Sequence, residues 1–216
     1  MPDTPIRLHT YFRSSASFRV RIALELKGLP WEPVAQNLPK GEHLASGYKA
    51  LAGFGLVPLL EIDGLRLQQS LAIIEYLEAR YPRPALLPAD EGEKARARAL
   101  AQHIACEIHP LNNLRVLKYL RGPLGQAEDV VDTWYRHWCD TGLVALEAEL
   151  AARADGPYAL GASPSIVDCF LVPQVFNARR YKVDMARYPR IVAIEAACMR
   201  LEAFQRAQPS AQPDAA

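Results

Sequence analysis

The serine pair Ser14-Ser15 is the first feature of the sequence that could do chemistry. It stands directly before a run in which Phe18, Ile22 and Leu26 recur at four-residue spacing, which predicts an amphipathic helix that begins at the serines. A helix N-terminus offers unpaired backbone N–H groups and a partial positive charge, and both favour an anion. Together with a serine hydroxyl, such a turn would lower the pKa of a bound thiol. Two serines before a helix are more often an ordinary N-cap, so the pair alone leaves both interpretations open.

Two further turns have features of a ligand site. Val57-Pro58 precedes a strand-like run and is typical of the cis-proline turn of a thioredoxin-like fold, where exposed backbone can pair with a peptide-like ligand. Gln69-Ser70 lies where a strand turns into a helix, which gives a second helix N-terminus suited to a carboxylate. Ser70 could equally cap that helix. The three turns in this order are more specific than any one of them.

The elements that position these turns alternate between strand and helix patterns. The predicted strands cover residues 6–11, 31–38, 57–62 and 65–68, and the predicted helices cover residues 15–27, 42–51 and 70–81. Gly28 suits the C-terminal cap of the first helix. Asp63-Gly64 between two apolar runs predicts a hairpin. This order favours a small mixed sheet with helices packed against it.

Pro82, Pro84 and Pro88 predict a connector, and only helical patterns follow it. The predicted helices cover residues 91–120 with a kink at Pro110, then 126–154, 165–182 and 190–206. Ser165 and Asp168 predict a capping box, which gives Asp168 a role in folding and none in catalysis. The tail from residue 208, with two prolines, is expected to be loosely ordered or to lie over the surface.

Composition excludes several classes of partner. The 25 basic and 24 acidic residues nearly balance, so nothing in the net charge favours nucleic acid. There is no apolar run of the roughly 18 residues that a membrane span needs, and the polar start does not resemble a signal peptide. The four cysteines form no metal-ligand spacing and are expected to be buried single thiols. We therefore expect a cytoplasmic protein with no metal, no membrane and no nucleic acid among its partners.

In these motifs the chain resembles the zeta class of glutathione transferases, which includes maleylacetoacetate and maleylpyruvate isomerases. The class signature Ser-Ser-Cys-x-Trp-Arg-Val-Arg-Ile-Ala-Leu is similar to residues 14–24, and further matching blocks lie at residues 69–77, 109–113, 171–175 and 212–214. The resemblance implies an α/β thioredoxin-like N-terminal domain at residues 1–83 that binds glutathione. It also implies an all-α domain at residues 90–216 that completes the substrate pocket, and a homodimer.

Matched position by position, the resemblance implies the glutathione contacts, and the chemistry of a diacid substrate adds a second set of candidates. The glutathione contacts are Ser14, Ser15, His43, Val57, Gln69, Ser70, His109, Asn113 and Arg115. The candidates for the substrate carboxylates are Arg13, Arg115 and Arg180, because a guanidinium grips a carboxylate with two parallel hydrogen bonds. Arg179 remains an alternative to Arg180. The candidate catalytic residues are Ser14, Ser15 and Arg13, and which serine contacts the thiolate stays open.

The resemblance implies a glutathione-dependent cis–trans isomerase that converts a maleyl diacid, maleylpyruvate or maleylacetoacetate, to its fumaryl isomer in the catabolism of aromatic compounds or amino acids. Ala16 stands where the family has cysteine, which disfavours reactions that need a second protein thiol and is similar to some maleylpyruvate isomerases. Phe18 replaces the family tryptophan and still suits an apolar site. The alternatives are a general transferase that conjugates or dehalogenates small electrophiles, and a non-catalytic interaction module.

Overall fold

Four short strands form one mixed sheet in the order β2-β1-β3-β4. In the computed structural model, which describes residues 5–153 and 155–215, β1 pairs with β2 in parallel, and β3 is antiparallel to both β1 and β4. Three helices belong to the same part of the chain, and the order of elements matches the predicted one. The bounds are β1 Ile6–Thr10, α1 Ser15–Leu26, β2 Trp31–Ala35, α2 Ser46–Leu51, β3 Leu59–Ile62, β4 Leu65–Gln68 and α3 Ser70–Arg80.

Local sequence explains where these elements end. Gly28 follows α1 with a φ of 61°, a left-handed conformation that glycine adopts without steric cost. The predicted hairpin is confirmed, since Asp63 and Gly64 join β3 to β4 with φ angles of 49° and 75°, the pattern of a two-residue turn that matches strand twist. The core of the first unit is mostly apolar, and Leu8 and Leu60 of the sheet are fully buried in it.

Helices make up the second unit, which runs from Leu87 to Cys198. The predicted helix at 91–120 is three pieces: α4 Glu91–Gln102, a π-helical segment His103–Ile108, and α5 Leu114–Arg121. The predicted helix at 126–154 is α6 Glu128–Ala151, and residue 154 lies outside the described residues, as do residues 1–4 and 216 at the ends of the predicted domains. Two further helices follow, α7 Ile166–Arg180 and α8 Pro189–Cys198.

The C-terminal segment from Met199 onward belongs to the first unit, with the residues up to Leu86. The predicted boundaries placed it in the helical domain instead. The predicted helix at 190–206 breaks after α8, and α9 Glu202–Ala207 packs against α1 with Phe204 fully buried. The tail beyond α9 is also ordered, because Gln212 is buried and donates to the carbonyl oxygens of Arg206 and Gln208.

The cysteines are free thiols, and Cys106 is exposed, so the expectation that all four are buried is wrong for that residue. It lies in the π-helical segment, where a face of the chain is open to solvent. Between residues 5 and 153 and between 155 and 215, the structure has no helix that is both long and apolar enough to cross a membrane. Over the same described ranges, no group of three histidine, cysteine or acidic side chains is placed to hold a metal ion.

Candidate active site

The three predicted turns lie together at one edge of the sheet. The register pairs His9 with Leu59 and Leu59 with Gln68, so the end of β1, the start of β3 and the end of β4 lie side by side. The chain leaves this edge into α1 at Ser14, reaches it at Val57-Pro58, and leaves it again into α3 at Gln69. Topology alone therefore brings together residues that are more than forty positions apart in the sequence.

Ser14 is the N-cap of α1. Its Oγ accepts a hydrogen bond from the Ser17 N–H at 3.2 Å, and its own N–H donates to the Tyr11 carbonyl at 2.9 Å. Because the Ser14 oxygen uses a lone pair for the cap, its hydroxyl proton stays available to a ligand. Ser14 is half-buried, whereas Ser15, the first helical residue, is only 6% exposed. Capping and ligand binding are thus compatible functions of the same hydroxyl.

The Val57-Pro58 peptide bond is cis, as predicted. The loop that leads into it is held by Tyr48, whose hydroxyl donates to the Leu56 carbonyl at 2.7 Å, and burial raises the pKa of that phenol. His43 lies in a 3₁₀ turn, Glu42–Leu44, beside this loop. A Cβ at Gly55 would lie 3.1 Å from the His43 carbonyl oxygen, which shows how closely the two segments approach. The turn that holds His43 therefore lies against the loop that leads into Val57.

The start of α3 differs from the predicted cap. Gln69, not Ser70, is the N-cap, and its φ of 69° is left-handed, which is uncommon for a residue other than glycine. Ser70 is the first helical residue, is 6% exposed, and accepts a hydrogen bond from Arg19 Nη1 at 3.2 Å. Strained backbone in a non-glycine residue persists where the surrounding structure enforces it, often at a ligand site.

Arg19 is a further candidate site residue that the sequence interpretation missed. It lies on α1, is only 2% exposed, and its guanidinium reaches the N-terminus of α3 through Ser70. A buried cation beside a helix N-terminus reinforces the positive potential there. The available signal was the Arg-Val-Arg run within residues 14–24, which places two cations between apolar residues.

Arg13 stands one residue before the α1 cap and is exposed. Its Nη2 donates to the Tyr11 hydroxyl at 2.9 Å, and its guanidinium carbon lies 5.0 Å from the Phe12 ring centroid. Contact with two aromatic rings restricts a side chain that would otherwise be mobile. A cation is thereby held next to the Ser14 turn.

In the second unit, His109, Asn113 and Arg115 lie on one turn. Asn113 is the N-cap of α5 and accepts from the Arg115 N–H at 3.2 Å, while its Nδ2 is 3.3 Å from His109 Nε2. The turn is attached to α6 by two bonds: Trp134 Nε1 donates to the Leu111 carbonyl at 2.8 Å, and Asn112 Nδ2 to the Tyr135 carbonyl at 3.3 Å. The kink predicted at Pro110 is therefore a fixed turn.

Arg180 and Arg179 end α7 and have different partners. Arg179 is bound by Glu195 of α8, with Nε 3.2 Å from both carboxylate oxygens. Arg180 instead lies against Tyr181, with its guanidinium carbon 5.0 Å from the ring centroid and Nη2 3.3 Å from the hydroxyl. Tyr181 in turn stacks on buried Tyr135 at 3.5 Å between centroids. Arg179 is committed to a carboxylate of its own unit, which favours Arg180 as the ligand-binding arginine.

The predicted capping box at α7 is confirmed. Asp168 accepts from the Ser165 N–H at 2.7 Å, and the Ser165 hydroxyl accepts from the Val167 N–H at 3.2 Å. The carboxylate also accepts from the Ala159 N–H at 2.9 Å. Burial raises the pKa of Asp168, and these hydrogen bonds oppose that rise. Its contacts are those of a folding residue.

Two family models match the chain, the glutathione S-transferase N-terminal domain over residues 13–80 and the C-terminal domain over residues 132–197. The chain belongs to the glutathione S-transferase family. Within it the chain belongs to the zeta class, the group of maleylpyruvate and maleylacetoacetate isomerases. A maleylpyruvate isomerase of Ralstonia sp. is 50% identical over 212 residues, which cover 98% of this chain and 100% of that protein.

Solved structures agree with this assignment. A holo maleylpyruvate isomerase, described as a bacterial zeta-class glutathione S-transferase, superposes with a TM-score of 0.95 at 50% identity and covers 97% of this chain and 100% of its own. A maleylacetoacetate isomerase of Anaeromyxobacter dehalogenans gives 0.88 at 40% identity and covers 100% of both chains. That structure has dicarboxyethyl glutathione and citrate bound in the active site. The predicted fold, a thioredoxin-like N-terminal part followed by helices, is confirmed.

Proposed function

We propose that this protein is a glutathione-dependent isomerase that converts maleylpyruvate to its fumaryl isomer, with maleylacetoacetate as the close alternative substrate. The observation that carries the proposal is the sheet edge where the Ser14 cap, the cis Val57-Pro58 turn and the Ser70–Arg19 contact lie side by side. Ala16 and the maleylpyruvate isomerase that is 50% identical favour the smaller diacid.

The residues at this edge fit glutathione. Glutathione is a peptide with carboxylates at its ends and a thiol between them, so it needs a peptide-pairing backbone, an anion site and a thiolate site. The backbone of Val57, on the N-terminal side of the cis bond, is the proposed peptide-pairing backbone. The α3 N-terminus at Gln69 and Ser70 has the buried Arg19 beside it, which suits a carboxylate. Bound glutathione supplies a thiolate nucleophile, whose reversible addition to a cis double bond permits rotation about that bond.

Ser14 is the proposed thiolate donor. The α1 N-terminus contributes unpaired N–H groups and partial positive charge, and the Ser14 hydroxyl adds a donor whose proton the cap does not use. Ser15 lies deeper, at 6% exposure. Stabilising the thiolate keeps the thiol deprotonated at neutral pH. His43, His109 and Asn113 remain proposed glutathione contacts.

The proposed carboxylate contacts are arginines. Arg13 is held beside the Ser14 turn by Tyr11 and Phe12, and it would bind a carboxylate or stabilise the enolate that forms as negative charge moves onto the carbonyl oxygen. Arg115 and Arg180 are the corresponding residues of the second unit. Dicarboxyethyl glutathione and citrate in the A. dehalogenans structure both carry several carboxylates, which supports an arginine-dependent site.

The direct test supplies the purified protein with maleylpyruvate or maleylacetoacetate, each with and without glutathione, and measures the fumaryl product. We expect conversion only with glutathione, and a higher kcat/KM for maleylpyruvate. Equal or better use of maleylacetoacetate would reassign the substrate. Glutathione binding without conversion of either diacid would instead support a conjugating transferase.

We also propose a homodimer that works in the cytoplasm. Large apolar side chains are exposed on the first unit, with Phe54 at 69% and Leu44 at 55%, and such side chains mark candidate interfaces. The free thiols suit a reducing compartment. Light scattering of the purified protein should give twice the chain mass, and Phe54→Ser should lower that mass while Val130→Ser, at an exposed site on the second unit, should not.

A further inference from the structure

Arg21 of α1 is a fully buried cation with no place in the proposed catalytic steps. Its Nε donates to the Ala207 carbonyl at 2.8 Å, its Nη1 to Thr10 Oγ1 at 3.0 Å, and its Nη2 to the Phe12 carbonyl at 2.9 Å. A buried guanidinium persists only when such partners replace water. Those partners belong to two segments, the end of β1 with the turn that follows it, and the end of α9.

Asp214 completes the same arrangement from the C-terminal tail. Its Oδ2 accepts from the Phe12 N–H at 2.8 Å, across 202 positions of sequence. Burial lowers the pKa of Arg21 to about 9, and the Asp214 carboxylate opposes this by favouring the charged form. Both backbone polar groups of Phe12 are thus bound by ionisable side chains, one from α1 and one from the tail.

The position of Phe12 makes this arrangement relevant to the site. Arg13 follows it directly, and Ser14 N–H closes the turn on the Tyr11 carbonyl at 2.9 Å. The two backbone bonds at Phe12 therefore set the direction in which the next two residues leave the sheet. A displacement of about 1 Å at a reacting group can cost a large part of the rate.

We propose that Arg21 and Asp214 are positioning residues, which make the C-terminal segment a structural part of the active site by fixing Phe12 and, through it, Ser14 and Arg13. The proposal rests on the proposed function in one respect, that Ser14 contacts the glutathione thiol. Neither residue touches substrate; each acts through the backbone of the turn.

The test uses Asp214→Ala in the full chain, with Arg206→Ala as the matched control. Arg206 also ties the C-terminal segment to α1, through Glu25 at 2.7 Å, and its guanidinium binds Glu25 and Glu202. Three quantities are measured for each variant: the thermal midpoint, the pKa of the thiol of bound glutathione, and kcat and KM for the diacid. Both variants should lose similar stability, which removes stability as an explanation.

We expect Asp214→Ala to lower kcat on the order of 10-fold and to raise the thiol pKa, while Arg206→Ala leaves both near wild type. Asp214→Asn should recover most of the loss, because an amide oxygen can still accept from the Phe12 N–H. If Asp214→Ala changes the thiol pKa no more than Arg206→Ala does, the proposal is overturned. The thiol pKa needs no diacid, so a protein that fails to isomerise can still confirm or overturn the positioning.

Discussion

Arg19 and Arg21 of α1 bind different partners because their side chains point in different directions. Two positions apart on a helix they point to nearly opposite sides, since successive residues turn by about 100°. Arg19 reaches Ser70 at the start of α3, whereas Arg21 reaches Ala207 at the end of α9. The sequence shows both cations in an apolar helix. Their partners depend on packing between segments that are far apart in the chain, which sequence periodicity does not contain.

The two serines can be separated by substitution. We expect Ser14→Ala to lower kcat/KM by about 10- to 100-fold and to raise the pKa of the bound thiol, because it removes a hydrogen bond to a charged group. It should also cost about 1 kcal/mol of unfolding free energy, because the Ser17 N–H loses its cap. Ser15→Ala is the matched variant, and the thiol pKa, read from thiolate absorbance against pH, should change less in it. A larger shift in Ser15→Ala would exchange the two roles.

Arg180 and Arg179 form a natural pair of test and control. Arg180→Ala should raise KM for the diacid about 10- to 100-fold, the cost of one charge-assisted contact, and leave the dissociation constant of glutathione unchanged. Arg179→Ala removes an arginine whose guanidinium is already paired with Glu195. KM for the diacid should therefore stay within about two-fold of wild type, while the free energy of unfolding falls slightly. Equal effects of the two substitutions on KM would remove Arg180 from the proposed site.

At the scale of elements, the sheet was well predicted because its signals are local. Alternating apolar residues, the Asp63-Gly64 turn and the Val57-Pro58 turn each identify their own segment, and the observed strands differ from the predicted ones only at their ends. Serine favours N-cap positions, which leaves capping open as a role of Ser70, but Gln69, with its left-handed φ, is the observed N-cap and Ser70 is the first helical residue. A backbone strain of this kind is enforced by the tertiary structure.

The π-helical segment was not predicted for a related reason. The His109 N–H donates to the Ile104 carbonyl at 3.0 Å, five residues back, which adds one residue to the helical turn. A single extra residue shifts the apolar period too little to be recognised in the sequence. Pro110 was expected to mark a kink inside one helix, whereas the irregular turn begins before it, at His103. His103 there lies 2.9 Å from the Gly142 carbonyl of α6.

Gly142 of α6 leaves room for the π-helical segment because it has no side chain. A Cβ there would lie 2.3 Å from Ile108 Cγ1, which no native packing tolerates. Gly142→Ala should therefore lower the unfolding free energy by about 1–3 kcal/mol, measured by denaturant titration. Gly47→Ala is the control, since a Cβ at that helical position meets nothing within 4 Å and alanine favours a helix. A Gly142→Ala protein as stable as wild type would mean that the π-helical segment can move aside.

Glu61 of β3 contributes to the strand pairing on which the site depends. The hydrogen bond from His9 at 2.7 Å is the main cause that lowers the pKa of Glu61, with help from Arg7 and Arg66. A carboxyl whose folded pKa is lowered contributes stability above its ordinary pKa of 4.5, and that stability is lost as pH falls through the lowered value.

We therefore expect Glu61→Gln to cost about 1 kcal/mol of unfolding free energy at pH 7 and to flatten the decline of stability below pH 4.5. Glu32→Gln, at an exposed position on β2, is the control and should leave the acid limb as it is. Chemical denaturation at a series of pH values measures both. An acid limb equally steep in Glu61→Gln and wild type would assign the pH dependence to other carboxylates.

Over the whole molecule, the sequence indicates an α/β part and an all-helical part. It does not show to which of them the C-terminal segment belongs. The change from alternating patterns to helical ones, at a proline-rich connector that interrupts regular structure, predicts a domain boundary after residue 83. It could not show that the segment from Met199 returns to the first unit, since its helical pattern is the same in either place. The packing of α9 against α1 and the contacts of Arg21, Arg206 and Asp214 reveal that return.

Glutathione is expected to serve as a cofactor that is returned after each cycle. The direct measurement follows maleylpyruvate by proton NMR in the presence of enzyme and glutathione at about one-hundredth of the substrate concentration, with an enzyme-free sample as reference. We expect complete conversion to the fumaryl isomer, with all the glutathione recovered as free thiol. Product that stops at the amount of glutathione supplied, together with a stable thioether adduct, would instead identify a conjugating transferase.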